Sequence, residues 1–204
     1  MTKIIDEKQL EIASESLRLG GVVCFPTETV YGIGVRCDSE PSFKALVNAK
    51  KRSPDKPFAL MCSSFYMAGQ YIDCDEKVIK LMNHFLPGEV TFLVKAKADL
   101  PHWITLGTGV IGIRVPSFPL VQRLINGVGV PCLVTSANIS GEPTSSTFED
   151  TKHSFDGIAD VIVGGECISK LASTIVDVSE NKTIKLIREG SLSLKTIEDY
   201  WRNL

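Results

Sequence analysis

Short apolar runs that end at proline, glycine or small polar residues dominate this sequence and limit what it can fold into. Val22-Val23-Cys24-Phe25 stops at Pro26, Phe58 to Cys62 begins after Pro57, and Val110 to Val115 stops at Pro116. Val90 to Ala96, Pro131 to Thr135, Val161 to Val163, Thr174 to Val178 and Thr183 to Ile187 have the same character. Runs this short read as buried strands. Helical spacing fills the gaps between them. Residues 6–19 place Leu10, Ala13 and Leu17 on one face and stop at Gly20-Gly21. Pro41, behind Ser39 and Glu40, opens a helix carrying Phe43, Leu46 and Val47. Val78, Leu81, Met82 and Phe85 mark a helix that ends at Pro87-Gly88, and Pro119 opens one with Leu120, Val121, Leu124 and Ile125. Thr147 to Phe155 is a helix with Thr147 and Asp150 placed for capping. A last helix starts near Ser193 and buries Ile197, with Trp201 next on that face. The alternation is irregular. It specifies an α/β fold with a mixed sheet in one domain over residues 1–204, with 191–204 as a helical tail.

Composition narrows the function. With 204 residues, 44% of them hydrophobic, the chain can bury a substantial core and is not a disordered polymer. The 22 Lys and Arg against 24 Asp and Glu give a net charge of -2, so any anion is bound locally and not by a basic surface as a whole. The six cysteines, Cys24, Cys37, Cys62, Cys74, Cys132 and Cys167, show no C-x-x-C spacing and read as reduced core thiols. The N-terminal segment turns acidic at Asp6-Glu7, too early for a secretory signal, and no apolar run approaches the roughly 20 residues of a membrane span. A cytoplasmic location without membrane contact is the expectation.

Three familiar motifs fail on context. Gly107-Thr108-Gly109-Val110-Ile111-Gly112 matches a dinucleotide fingerprint by letter, but Ile111 to Val115 reads as a strand where that motif needs a helix. The phosphate-binding G-x-x-x-x-G-K-[ST] sequence is absent, and His84, His102 and His153 stand alone, so no resident metal is expected. The N-x-S/T triplets at Asn138 and Asn181 carry no meaning in a cytoplasmic protein.

Three constellations remain. In Phe25-Pro26-Thr27-Glu28-Thr29-Val30-Tyr31-Gly32 a buried strand delivers hydroxyls, a carboxylate and a phenol into a turn, although threonines also cap strand ends. Lys50-Lys51-Arg52-Ser53-Pro54-Asp55-Lys56-Pro57 puts four cations in seven positions at a helix end. Cations there complement the helix dipole, yet the segment runs straight into a buried strand, which sets a forked guanidinium and ammonium groups at the sheet's rim, as phosphate recognition requires. Val134-Thr135-Ser136-Ala137-Asn138-Ile139-Ser140-Gly141 takes a strand into small polar residues, where open α/β sheets place ligands or simply turn.

Together these segments resemble the YrdC/TsaC family of L-threonylcarbamoyl-AMP synthases, in its single-domain form, from about Ile12 to Arg188. Pro87-Gly88-x-x-Thr91, Gly112-Ile113-Arg114-Val115-Pro116, Ser173-Thr174-Ile175-Val176-Asp177 and Ile187-Arg188-x-Gly190 support the match. The resemblance implies a twisted, open YrdC/RibB-like sheet flanked by helices, with a concave basic face that takes ATP and L-threonine. It implies synthesis of threonylcarbamoyl-AMP from L-threonine, bicarbonate and ATP with release of pyrophosphate, Mg²⁺ being carried in with ATP. The product passes to a transferase complex that completes the t6A modification of tRNA. By position, Lys50, Arg52, Ser136 and Asn138 match the family's characteristic tetrad and are the catalytic set. Arg52, Lys56, Asn138, Ser146 and Arg188 fall to ATP, and Thr27, Thr29, Met61, Arg114, Ser136 and Ser173 to threonine. Met61 stands where some relatives carry a histidine, and Phe118 where a histidine commonly precedes the proline. The matched region reaches nearly to residue 204, so the single-domain form, without the extra C-terminal domain of longer relatives, is the expectation.

The chemistry so implied needs charge management more than a strong base, because a threonine carbamate must approach the anionic α-phosphate of ATP. Two other readings stay open. One is an RNA-binding module without catalysis, with weak tRNA binding through the same cations; the acidic balance and the absence of a stacking platform weigh against it. The other is a different carbamoyl-adenylate-forming reaction, as in the YrdC-like module of hydrogenase maturation proteins.

Overall fold

Local capping sets where the helices begin. In the computed structural model, which describes residues 1–180 and 183–204, Ser39 caps helix α2 (Glu40–Lys50), with Pro41 in its first turn. Asp75 caps α4 (Glu76–Phe85), Thr147 caps α7 (Phe148–Phe155) by accepting from the Asp150 amide, and Ser193 caps α8 (Leu194–Arg202). Helices α1 (Leu10–Arg18) and α6 (Pro119–Val128) bury the apolar stripes expected of them. Two short helices, α3 (Phe65–Gly69) and α5 (His102–Thr105), were not signalled by periodicity, since one turn is too short to show it. The Asn181 triplet lies outside the described residues.

Among the described residues ten strands form one sheet: β1 (Lys3–Ile5), β2 (Val23–Phe25), β3 (Gly32–Arg36), β4 (Ala59–Met61), β5 (Val90–Lys95), β6 (Val110–Arg114), β7 (Cys132–Ser136), β8 (Val161–Val163), β9 (Thr174–Asp177) and β10 (Lys185–Arg188). Their order is β1-β8-β2-β3-β7-β4-β6-β5-β9-β10, so the sheet is open, with β1 and β10 at its edges. It is mixed: β1/β8, β2/β8, β4/β6 and β5/β9 run parallel, and the other neighbours antiparallel. Strand β6 runs through Gly112, which confirms that the glycine motif there is not a dinucleotide turn. Strands β1 and β3 are not announced by the local sequence. Gly32-Ile33-Gly34-Val35-Arg36 reads as a turn by propensity because glycine is disfavoured in strands. Its pairing with β2 and β7 overrides that preference, and a Cβ on Gly34 would lie 2.8 Å from Val134 and 2.9 Å from the Leu133 carbonyl.

Strand alternation divides the core. Ile33, Leu60, Phe92, Val94, Ile111, Ile113, Leu133 and Val176 face helices α2, α4 and α8 through Leu46, Leu81, Met82 and Ile197. On the other face, Val23, Phe25, Cys132 and Val161 pack against Leu10, Leu17, Leu124 and Ile125 of α1 and α6. Those two helices cover one part of that face. The rest, over β3, β7, β4, β6, β5 and β9, carries the cleft described below. The tail lies on the opposite side: Tyr200 of α8 stacks on His84 of α4 with ring centroids 3.8 Å apart, and half-buried Trp201 takes the Lys77 ammonium at 4.2 Å. Five cysteines are buried and Cys74 is half-buried; none is in a disulfide. Burial pushes their thiols up, to about 12 for Cys37 and about 11 for Cys74, which makes them packing groups and not nucleophiles.

Candidate active site

The open part of the sheet holds a cavity of about 260 Å³. Glycine and alanine at Gly32 and Ala59 give it a low floor, and the walls come from loops at the strand ends. Of the residues singled out in the sequence, Thr27, Arg52, Met61, Arg114, Ser136, Ser173 and Arg188 line it. Thr29, Lys50, Lys56, Asn138 and Ser146 do not, and Lys56 is exposed at the surface. Tyr31, Phe58 and Thr91 also line it, although the resemblance assigns none of them to ATP or threonine. Thr91 had a legible signal: it is the polar residue between buried Val90 and Phe92, so it faces the other side of β5.

The loop between β2 and β3 is buried throughout, so its polar groups must be satisfied within the protein. Thr27 Oγ1 accepts from the Thr29 amide at 3.1 Å and donates to the Val30 carbonyl at 2.7 Å. The Glu28 carbonyl accepts from the Ser169 amide at 2.9 Å. Tyr31 Oη donates to the Gly165 carbonyl at 2.7 Å, and desolvation pushes its phenol pKa upward. From the end of β6, Arg114 Nη2 donates to Thr29 Oγ1 at 2.7 Å and to Glu28 Oε1 at 2.9 Å, an ion pair in which both side chains are buried.

Lys50 is only 2% exposed. Its ammonium donates to the Ser136 carbonyl at 2.6 Å, to the Asn138 carbonyl, and toward Asn138 Oδ1 at 3.4 Å. Desolvation, then the nearby Arg52 charge, push its pKa down to about 8. Asn138 is likewise engaged, its amide nitrogen donating to the Ile139 and Glu142 carbonyls at 2.9 Å and its oxygen accepting from Ser136 Oγ at 2.6 Å. Two members of the expected tetrad therefore fix the loop after β7, and the other two, Arg52 and Ser136, reach the cavity. Lys51 ends α2 in the left-handed conformation (φ 47°), which turns the chain toward the cleft. Arg52 then donates to the Lys56 and Pro57 carbonyls at 3.3 and 3.2 Å, with its guanidinium 5.2 Å from the Phe58 ring centroid. Arg188 donates to the Ser173 carbonyl at 2.8 and 3.2 Å. Desolvation, then Arg114, lower the Arg188 pKa from its usual value. Ser173 Oγ and Thr91 Oγ1 lie 3.1 Å apart.

Three guanidinium groups thus meet a row of hydroxyls on the uncovered face of an open sheet. Fold and cleft define an α/β protein equipped to hold a small, oxygen-rich anionic ligand at the strand ends. The chain belongs to the Sua5/YciO/YrdC family, whose model, described as telomere recombination, matches residues 15–190. It is 33% identical over 196 residues to the threonylcarbamoyl-AMP synthase of Bacillus subtilis, covering 95% of this chain and 56% of that protein. Two solved structures of Sua5 from Pyrococcus abyssi superpose closely. One, a double-alanine variant, has a TM-score of 0.93 at 32% identity and covers 98% of this chain and 63% of that one. The other, complexed with L-threonine, has a TM-score of 0.90 at 30% identity and covers 98% and 60%. The chain therefore spans somewhat more than half the length of these relatives. Among the described residues no helix is long and apolar enough to cross a membrane.

Proposed function

We propose that this chain is an L-threonylcarbamoyl-AMP synthase, which joins L-threonine, bicarbonate and ATP and releases pyrophosphate as the first step of tRNA t6A modification. The observation that carries the reading is the convergence of Arg52, Arg114 and Arg188, from three separate segments, on one cleft beside Thr27, Thr91, Ser136 and Ser173. The name of the Bacillus subtilis relative and the threonine in Pyrococcus abyssi Sua5 support it.

The reaction condenses the threonine amine with bicarbonate to a carbamate, with loss of water. A carbamate oxygen then bonds to the α-phosphorus of ATP as the bond to the pyrophosphate leaving group breaks. Both partners are anions, so the barrier falls only if cations already surround the phosphates. Arg52 and Arg188 take this role: each is oriented by backbone carbonyls and keeps free donors. Mg²⁺ arrives with the triphosphate. Lys56 and Ser146, outside the cavity wall, add outer contacts to the nucleotide. Lys50 and Asn138 act by holding the loop that presents Ser136. Threonine lies against Thr27, Met61, Arg114, Ser136 and Ser173, with Thr29 orienting Arg114 from behind. The work is done in the cytoplasm by one domain, with the 191–204 tail behind the sheet; tRNA contact is weak, and the labile product passes to a t6A transferase complex. Purified protein with ATP, Mg²⁺, L-threonine and bicarbonate is expected to release pyrophosphate only when all four are present. Equal release without threonine would overturn the reading.

A further inference from the structure

The three cleft arginines differ in what neutralises them. Arg52 donates to the Lys56 and Pro57 carbonyls, and Arg188 to the Ser173 carbonyl and hydroxyl; among the described residues neither has a carboxylate within ion-pair distance. Arg114 alone carries a counterion, Glu28, at 2.9 Å. Both side chains are buried, so solvent does little to screen the pair.

The pair is also incomplete. It meets through one oxygen and one nitrogen, although a carboxylate and a guanidinium can form a two-bond fork. Among the described residues Glu28 Oε2 and Arg114 Nε are buried without a hydrogen-bond partner. An ion pair kept only to brace the fold would be expected to satisfy these atoms, because a buried orphan is costly and rare. Here an acceptor and a donor are left over in a pair whose arginine lines the cavity, and no contact among the described residues satisfies them.

We infer that Glu28 is a specificity-determining residue: by cancelling the charge of Arg114 it makes that part of the cleft accept the carboxylate of a zwitterionic amino acid and reject phosphate. A phosphate carries its full negative charge to whatever site it enters. At Arg52 and Arg188 it meets uncompensated cations; at Arg114 it meets the nearby carboxylate of Glu28 as well. An amino-acid zwitterion brings no net charge, so Glu28 repels its carboxylate but attracts its ammonium group. Glu28 thereby keeps the nucleotide's phosphates from occupying the amino-acid position. It acts through Arg114 and through the field at the site, not by covalent chemistry.

This inference rests on the proposed function, and binding measurements without turnover separate the two. Wild type, Glu28→Gln and Glu28→Asp would each be titrated calorimetrically with L-threonine, alone and in millimolar inorganic phosphate. Wild type is expected to bind threonine with little interference from phosphate. In Glu28→Gln, phosphate should compete, weakening apparent threonine affinity roughly tenfold or more. Glu28→Asp keeps the charge, so it should bind threonine less well yet still exclude phosphate; this arm stands even if the glutamine variant fails to fold. Absence of phosphate competition in Glu28→Gln, or equal competition in Glu28→Asp and Glu28→Gln, would overturn the role of Glu28. Failure of wild type to bind threonine would instead overturn the proposed function on which it rests.

Discussion

At the scale of single residues, Lys50 shows how one side chain serves both fold and site. Its ammonium is nearly out of water and ties the end of α2 to the carbonyls of Ser136 and Asn138, and its pKa is pushed from 10.5 to about 8. The charged form exists below that value and is lost above it. For activity, the loop presenting Ser136 then loses its cationic anchor, so kcat/KM should fall as pH rises through about 8. For stability the sign is opposite. The unfolded lysine holds its proton up to 10.5, so the cost of burying the ammonium is fully present below about 8 and is relieved between 8 and 10.5. Wild type should therefore lose activity over this interval without a matching loss of stability attributable to Lys50. Lys50→Met should be slow and should lack that alkaline limb. Parallel pH–rate profiles and urea midpoints check this; an identical limb in Lys50→Met would remove Lys50 from the explanation. The sequence marked Lys50 by its spacing to Arg52, but it offered no sign that the ammonium turns inward. That depends on a loop 86 residues away.

At the scale of elements, the closing hairpin of β9 and β10 builds one wall of the cleft. Arg188 reaches Ser173 because Gly190 lets the chain pass directly against Ala172 and Ser173: a Cβ on Gly190 would lie 1.9 Å from the Ala172 carbonyl oxygen and 2.7 Å from the Ser173 carbonyl carbon. The Gly190 amide also donates to Thr174 Oγ1 at 2.9 Å, which pins the approach. Backbone cannot yield as a side-chain tip can, so Gly190→Ala must displace the segment after Arg188. The expected cost is about 1–3 kcal/mol of stability, together with a raised KM for ATP, since Arg188 and Ser173 no longer meet. Thermal melts and nucleotide titration read both effects; an unchanged KM would show that Arg188 does not depend on this contact. Most helices and strands were legible, because each is marked by an apolar stripe or run that a capping side chain, proline or glycine bounds. Strand β3 was not. Its alternating glycines oppose strand formation locally, and pairing on both sides decides the matter.

At the scale of the whole molecule, the cleft exists because α1 and α6 cover only part of one sheet face, while α2, α4 and α8 cover the other. On the proposed function, the part of the cleft beside Arg114 and its neighbouring hydroxyls should read its substrate by hydrogen bonds as well as shape. The expected order of kcat/KM is threonine above serine above valine. Serine lacks one methyl contact, worth about 1–3 kcal/mol or roughly 10–200-fold, whereas valine leaves a buried partner of the substrate hydroxyl unpaired and should fall by roughly 10⁴-fold or more. Valine matching serine would mean that the pocket reads shape alone. By itself the sequence determined the α/β class, most element positions, the two loops rich in cations and small polar residues, and the family resemblance, since each is written in neighbouring residues through periodicity, capping and motif spacing. Only the tertiary structure decided which of those residues reach the cavity: that Lys50 and Asn138 brace a loop, that Arg52 and Ser136 face the opening, and that Glu28 meets Arg114. Those outcomes depend on the order of strands in the sheet, which brings together residues more than eighty positions apart and leaves no trace in local sequence.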